Sequence, residues 1–282
     1  MQQVNSGFPF NPLFAGLGHH LVVRCVLRGA VGGEVWVNDP QNPALGVVLV
    51  KNKLFLSGNP RTKYSRFRDW IEQYLLRQHH VVGRGGFAVL ADENWRERLL
   101  QRMPENYKAE PHPRMYLEGD LAELATPATP NPTPLEGFEL AEVTPKLVNK
   151  PDLGQREELL EEMQSERHSV EDFLEHSFGV CLLHNRNVAG WCLSEYNLDD
   201  RCEVGIATAE AFRQRGLATL QGQAFFALAR RNGIRYIGWH CWASNQPSVK
   251  TALRLGLKPA KTYDFYWCSA SESRQATSKL SV

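Results

Sequence analysis

Over the first sixty residues, short apolar runs rich in β-branched side chains alternate with Gly, Asn, Asp and Pro, the pattern of short strands separated by turns. The runs at 21–27, 33–37 and 45–50 are predicted as strands, and Lys51-Asn52-Lys53 as the hairpin turn into another at 54–56. From 64 to 78 the spacing changes. Phe67, Trp70, Ile71, Tyr74 and Leu75 recur at three- and four-residue intervals, the period of one helix face. A strand at 87–90 and a second helix at about 93–102 close this half, which reads strands, helix, strand, helix.

The pattern breaks at Ala125-Thr126-Pro127-Ala128-Thr129-Pro130-Asn131-Pro132-Thr133-Pro134, where alternating prolines remove backbone donors and favour extended chain. A domain boundary is placed there. Beyond it a strand at 138–143 is followed by helices at 153–163 and 170–176, the second capped by Ser169. Strands at 179–184, 188–195 and 202–207 follow, then a long helix at 216–231 ending at Asn232-Gly233. A buried strand at 234–242, a helix at 247–255 stopped at Gly256 and a last strand at 263–267 complete the order. The second half thus repeats the order of the first. The expected division is an N-terminal α/β domain at 1–124, a linker at 125–135, a second domain at 136–268 and a frayed Ser-rich tail at 269–282.

Composition narrows the function classes. At 282 residues, 43% hydrophobic and 22% charged, the chain can bury one large or two modest cores, and two domains are expected. Lys and Arg number 32 against 31 Asp and Glu, so no global field draws a polyanion and no nucleic-acid partner is expected. The six cysteines, Cys25, Cys181, Cys192, Cys202, Cys241 and Cys268, are dispersed without a CxxC pair or a nearby His at ligand spacing. They are expected to be mostly reduced and buried, with no metal site. The N-terminal MQQVNSGFPFNPLF lacks a basic segment followed by an apolar one, and no stretch approaches the roughly 18 apolar residues of a membrane span. A cytoplasmic enzyme without a membrane partner is expected.

The sharpest local feature is the strand Glu203-Val204-Gly205-Ile206-Ala207-Thr208, which runs through a short turn into Arg213-Gln214-Arg215-Gly216-Leu217-Ala218-Thr219 and straight into a helix. A helix N-terminus leaves N–H donors unpaired and carries partial positive charge. Gly216 and Ala218 have almost no side chain to hold a phosphate oxygen away, and Arg213 and Arg215 add charge. Taken alone, the string also reads as a tight strand-to-helix turn. Elsewhere, Gly83-Arg84-Gly85-Gly86 follows a helix rather than a strand and reads as a loop. The pairs His19-His20 and His79-His80 lack companion ligands and read as surface or turn residues.

Arg213, Gly216 and Ala218 match the coenzyme motif of the GNAT superfamily of acyl-CoA-dependent N-acyltransferases: Arg or Gln, two residues, Gly, one residue, Gly or Ala. The resemblance covers 136–268, about half of the chain. It extends to Trp239-His240-Cys241-Trp242-Ala243-Ser244-Asn245, followed by Ser248 and Leu255-Gly256-Leu257, which is similar to the family's next strand, its asparagine contact to the coenzyme and its closing helix. Glu203-Val204-Gly205-Ile206 together with Trp239, Cys241 and Asn245 resembles a bacterial group of two-domain GNAT acetyltransferases that includes antibiotic self-resistance enzymes.

The resemblance implies an α/β fold, a mixed, mostly antiparallel sheet flanked by helices, preceded by a smaller, degenerate GNAT-like α/β domain. It implies acetyl-CoA as co-substrate, held by Ile206, Ala207, Thr208, the segment from Arg213 to Thr219, Asn245 and Ser248, and direct transfer of the acetyl group to the amine of a small molecule.

Such transfer needs a base for the amine and a proton for the departing thiolate. Glu203, at the start of the strand leading into the loop, is the first candidate base and Glu195 the substitute; Glu203 also reads as a solvated residue or a partner for Arg201. His240 reads as packed in an apolar strand. Many relatives place a tyrosine on the last helix where this chain has Ala252, so Ser248, Tyr263 or water would supply the acid, or none is needed. In the first half, Ser57-Gly58-Asn59-Pro60-Arg61-Thr62-Lys63 occupies the corresponding place. Pro60 removes a donor there, so that half is expected to shape the acceptor cleft or an interface rather than hold a pyrophosphate. The alternatives are an acyl-CoA-binding sensor without chemistry, and a tandem transferase using an aminoacyl-tRNA donor.

Overall fold

The computed structural model describes residues 1–5, 12–61, 66–73, 86–95, 98–102, 107–124 and 136–270. The linker at 125–135, the loop at 83–85, His79-His80 and the tail beyond 270 lie outside the described residues. The chain divides into two compact units, one of Met1–Arg114 with Thr262–Val282 and one of Met115–Lys261.

In the first unit, β1 (Gln2–Val4), β2 (Glu34–Val37), β3 (Leu45–Val50) and β4 (Lys53–Gly58) pair antiparallel in sequence order. The β3–β4 hairpin turns through Lys51 at φ 52, as its Lys-Asn-Lys signal predicts. Helix α2 (Arg66–Gln73) then returns the chain, so that β5 (Gly86–Ala91) runs parallel to β4. The C-terminal part of β12 (Lys258–Ala270) pairs antiparallel with β5, from Phe265 opposite Leu90 to Ser269 opposite Gly86. Phe67, Trp70 and Ile71 of α2 pack on Val47, Leu49, Leu54, Leu56, Phe87 and Val89, with Tyr266 and Cys268 in the same core.

Two expectations for this half need correction, and one strand was not expected. The run at 21–27 is a helix, α1 (Leu21–Leu27), in which every residue except Arg24 is buried. A helix enclosed on most sides has no polar face, so its residues lose the 3.6 period and read as an apolar strand. Its end is nevertheless marked: Gly29 takes φ 73, and Ala30 N and Gly29 N donate to Cys25 O and Val26 O at 2.8 and 3.0 Å, a Schellman closure. The helix expected over 93–102 is a 3₁₀ turn at Glu93–Trp95 and a short helix α3 (Leu99–Arg102). The unexpected strand is β6 (Tyr107–Asp120), fourteen residues that the sequence hides behind Pro111, Pro113 and dispersed charges.

The turn after β4 has its own anion. Asp92, 7% exposed, accepts from Ser57 Oγ at 2.7 Å, Gly58 N at 3.0 Å and Asn94 N at 3.1 Å. An anionic ligand here would meet a carboxylate already bonded to the loop's donors.

In the second unit the strand order is β6, β11, β10, β9, β8, β7. The strands β7 (Phe138–Glu142), β8 (Gly179–His184), β9 (Asn187–Leu198) and β10 (Arg201–Thr208) form an antiparallel meander, and β11 (Tyr236–Trp242) lies parallel to β10. Between β7 and β8 come α4 (Pro145–Val148), α5 (Glu157–Glu166) and α6 (Val170–His176), whose cap is Ser169 accepting from Asp172 N at 3.1 Å. Leu147, Leu159, Met163 and Phe173 cover one sheet face, against Cys181, Leu183, Trp191 and Leu193. Helices α7 (Leu217–Arg231) and α8 (Gln246–Arg254) cover the other through Phe225, Leu228, Ala229, Val249 and Ala252, against Val204, Ile237 and Trp239. A mixed sheet flanked by helices is the architecture the sequence predicts.

Leu117 of β6 is 0% exposed in this second core, and Leu121 N donates to Arg235 O at 2.7 Å. The second unit is therefore built around residues that precede the proline-rich segment. Leu117→Ala in the full chain is expected to cost about 2–5 kcal/mol in urea unfolding; unchanged stability would show that β6 is dispensable to this core.

Candidate active site

The glycine segment joins β10 to α7. After Thr208 a single 3₁₀ turn at Glu210–Phe212 leads to Arg213, whose Nε donates to Thr208 O at 3.1 Å. Gln214 and Gly216 then take φ 63 and φ 78, and α7 starts at Leu217 without a side-chain cap. The first-turn amides of Leu217, Ala218 and Thr219 have no intrahelical acceptor available. Arg213, Gln214, Arg215 and Gly216 are exposed, and a Cβ built on Gly216 would meet nothing within 4 Å. The glycine is required by the left-handed backbone, and the space above it is open.

Arg215 is held sideways, its guanidinium carbon 5.3 Å from the Phe138 ring centroid. The strand end is fixed from behind: Gln221, 0% exposed on the second turn of α7, donates through Nε2 to Thr208 Oγ1 at 2.9 Å.

β10 and β11 do not stay together. Their parallel register runs from Arg201 opposite Tyr236 to Val204 opposite Trp239 and ends there. Gly205, Ile206, Ala207 and Thr208 continue in register with β9, whereas His240, Cys241 and Trp242 continue β11. Beyond β11, Asn245 caps α8 by accepting from Ser248 N at 3.2 Å, and Ser248 Oγ accepts from Trp239 Nε1 at 3.1 Å. Ser248 is thereby tied to the strand at the last register pair. Ala252 is 0% exposed in the core, so α8 offers no phenol from that position.

A bulge sits where the splay begins. Glu203 faces Tyr196 and Val204 faces Ser194, so Glu195 is the extra residue of β9, and a Cβ on Gly205 would lie 2.5 Å from Glu195 Oε1. Bulges re-aim side chains, and this one brings the Glu195 carboxylate over the first residue beyond the paired segment. Glu203 itself is 5% exposed, with Oε1 3.2 Å from His240 Nε2. The Tyr116 ring of β6 lies 4.7 Å from the His240 ring, and its hydroxyl donates to Glu118 Oε2 at 3.1 Å. Gly238 makes this approach possible: a Cβ there would stand 3.1 Å from Tyr116 Cε2 and 3.3 Å from Glu203 Cγ.

Burial, reinforced by the Glu118 and Glu203 carboxylates, raises the Tyr116 phenol well above its ordinary range, so it stays protonated. Tyr196, 3% exposed, donates to Glu166; burial and then the charges of Glu166, Glu195 and Glu203 push its phenol up as well. The Cys202 thiol beside them is raised by burial first and by Glu203 and Glu195 next, which keeps it an unreactive thiol.

The structure thus gathers Glu203 and Glu195 at one end of the splay and the segment from Arg213 to Thr219 at the other, with Asn245 and Ser248 beyond β11. Tyr263 belongs to the first unit, 8% exposed, with ring centroids 5.1 and 4.9 Å from His19 and His20. His240 and Tyr116 are the residues that sequence reasoning undervalued. His240 had a usable signal: Glu203 and Gly205 alternate on one face of β10, and Gly238 and His240 on the same face of the parallel β11. Tyr116 had none while β6 was unread. Among the described residues no group of three His, Cys, Asp or Glu side chains could hold a metal.

The chain matches the family model for GNAT acetyltransferase over residues 11–266. It is similar to an uncharacterized N-acetyltransferase, YdfB, of Bacillus subtilis (strain 168), 34% identical over 100 residues that make up 36% of this chain and 38% of that protein. The match therefore spans well under half of that relative. Among solved structures the fold is similar to a GCN5-related N-acetyltransferase-like protein from Streptococcus suis 89/1591, at TM-score 0.63 and 20% identity over 90% of this chain and 95% of that one. It is also similar to a tandem GNAT protein from the clavulanic acid biosynthesis pathway, at TM-score 0.53 and 15% identity over 85% and 83%.

The left-handed Gly216 yields a prediction independent of any ligand. Gly216→Val, a β-branched residue at φ 78, is expected to lower thermal stability by about 1–2 kcal/mol, and Gly216→Asn by a fraction of that. Equal melting temperatures for the two would contradict the assigned backbone.

Proposed function

The chain belongs to the GNAT acetyltransferase family, and from that membership we propose that it is an N-acetyltransferase taking its acetyl group from acetyl-CoA and delivering it to the amine of a small molecule. The observation that carries the reading is the end of the β10–β11 register beside an open, left-handed glycine turn at a helix N-terminus. The donors fit a pyrophosphate. The amides from Leu217 to Thr219 point out of α7, Gly216 keeps the approach clear, and Arg213 is exposed next to them. The main-chain groups of Ile206, Ala207 and Thr208 on one side of the splay, with Asn245 and Ser248 beyond the other, would hold the rest of the coenzyme.

Bound there, acetyl-CoA supplies a carbonyl activated by a thiol leaving group. Glu203 accepts the proton of the attacking amine, its carboxylate being buried and fixed beside the point where the strands part. Glu195, lying over Gly205, orients the amine nitrogen by accepting its other N–H. The polar end of the splay lies on the sheet face that α5 and α6 cover, which leaves acceptor choice to the segments around Glu166 and Tyr196.

The test is coenzyme release from acetyl-CoA across polyamines, amino sugars, amino acids and peptides. Wild type is expected to turn over on at least one amine, with Glu203→Gln lowering kcat by about 10²–10⁴-fold. Coenzyme binding without turnover on any amine would support a sensor instead, and wild-type kcat in Glu203→Gln would remove Glu203 as the base.

A further inference from the structure

A base that is 5% exposed cannot hand its proton to bulk water after each turnover. What stands next to it is an imidazole. His240 Nε2 lies 3.2 Å from Glu203 Oε1, and the two side chains are 10% and 6% exposed. His240 is also the first residue of β11 beyond the last register pair, Val204 with Trp239, so it stands where the splay opens. The position at which α8 could have supplied a proton donor holds Ala252, 0% exposed.

We propose that Glu203 and His240 act as one proton-transfer unit, in which His240 takes the proton from Glu203 and returns it for the departing thiol. The proposal rests on the acetyl-transfer reading and extends it. In the balanced step the N–C bond forms as the C–S bond breaks. The amine proton moves to the Glu203 carboxylate and on to His240 Nε2, and the imidazolium releases a proton that neutralises the thiolate, so that carboxylate and imidazole are both restored. Imidazole suits the task because one ring nitrogen can accept a proton while the other donates one.

The surroundings keep the pair in register. The Tyr116 ring lies 4.7 Å from the imidazole, tilted by 30°, which limits rotation of His240 away from Glu203. Its raised phenol is a hydrogen-bond donor to Glu118 rather than a competing acid. Gly238, paired with Glu203 in the register of β10 and β11, leaves the space that lets Glu203 and Tyr116 flank it. The charged groups near this arrangement include Arg201 from β10, Glu118 from β6, Glu195 from β9 and Glu166 from α5.

The experiment compares wild type with His240→Ala, His240→Gln, Glu203→Gln and the double variant Glu203→Gln/His240→Gln. Coenzyme release is measured with acetyl-CoA and the amine on which wild type is most active, beside calorimetric titration of each protein with acetyl-CoA. The expected result is unchanged acetyl-CoA affinity throughout and a kcat for His240→Gln lowered about 10²-fold at unchanged KM. The double variant loses no more than Glu203→Gln alone, because either change disables the same unit. Added imidazole restores kcat to His240→Ala and not to Glu203→Gln, a response that a purely structural histidine would not give. Losses that multiply in the double variant, or a His240→Gln enzyme with wild-type kcat, would overturn the proposal while leaving acetyl transfer intact. A wild type silent on every amine would defeat the transfer reading and this proposal with it. If His240→Ala fails to bind acetyl-CoA, the Gln series decides.

Discussion

Two parallel strands that share four register pairs and then stop pairing set the terms for the rest of the second unit. Backbone amides and carbonyls need partners, so a strand that leaves its neighbour must be held from its other side or from its ends. Here β10 keeps its antiparallel bonds to β9 as far as Thr208 opposite Gly190, and Gln221 fastens the Thr208 hydroxyl to α7. β11 is fastened by the Trp239 indole to Ser248 and by the Asn245 cap. The bulge that makes Glu195 an extra residue falls at the same level, so one irregularity in the sheet both opens the edge and aims a carboxylate across it.

Each unit is a meander, a crossover helix and a parallel strand, and in the second an open turn follows the fourth strand. In the first, the end of the fourth strand is bonded through Ser57 and Gly58 to the Asp92 carboxylate. The contrast is electrostatic. Exposed Arg213 and unpaired helix amides invite an anion, whereas a buried carboxylate already bonded to loop donors repels one. The strands that complete the two units are not the ones sequence order would assign: Phe265–Ser269 serve the first unit, and Leu117 lies in the core of the second.

Much of the second unit was legible because its signals are local. The α7 and α8 helices end where Gly233 and Gly256 follow them, and both close as Schellman turns, with Ile234 N donating to Ala229 O and Leu257 N to Ala252 O. Gly29 carries the same signal after α1, but the apolar run before it has no polar face and reads as a strand. β6 was illegible for a different reason, since its prolines and charges contradict the pattern of a paired strand, and Tyr116 was lost with it. Glu203, Glu195 and the glycine segment could be read from one stretch of chain. The contact of Glu203 with His240 depends on a parallel register between segments 37 residues apart, which no single window of sequence contains.

Binding of acetyl-CoA at the Gly216 turn and the splay beside it is read out by calorimetric titration of the full chain. Wild type should bind with one site per chain. Gly216→Glu, which places a carboxylate in the open space above the α7 amides, should abolish the heat of binding while keeping the same far-ultraviolet circular dichroism. Equal affinity in the two proteins would show that the coenzyme does not bind at this turn.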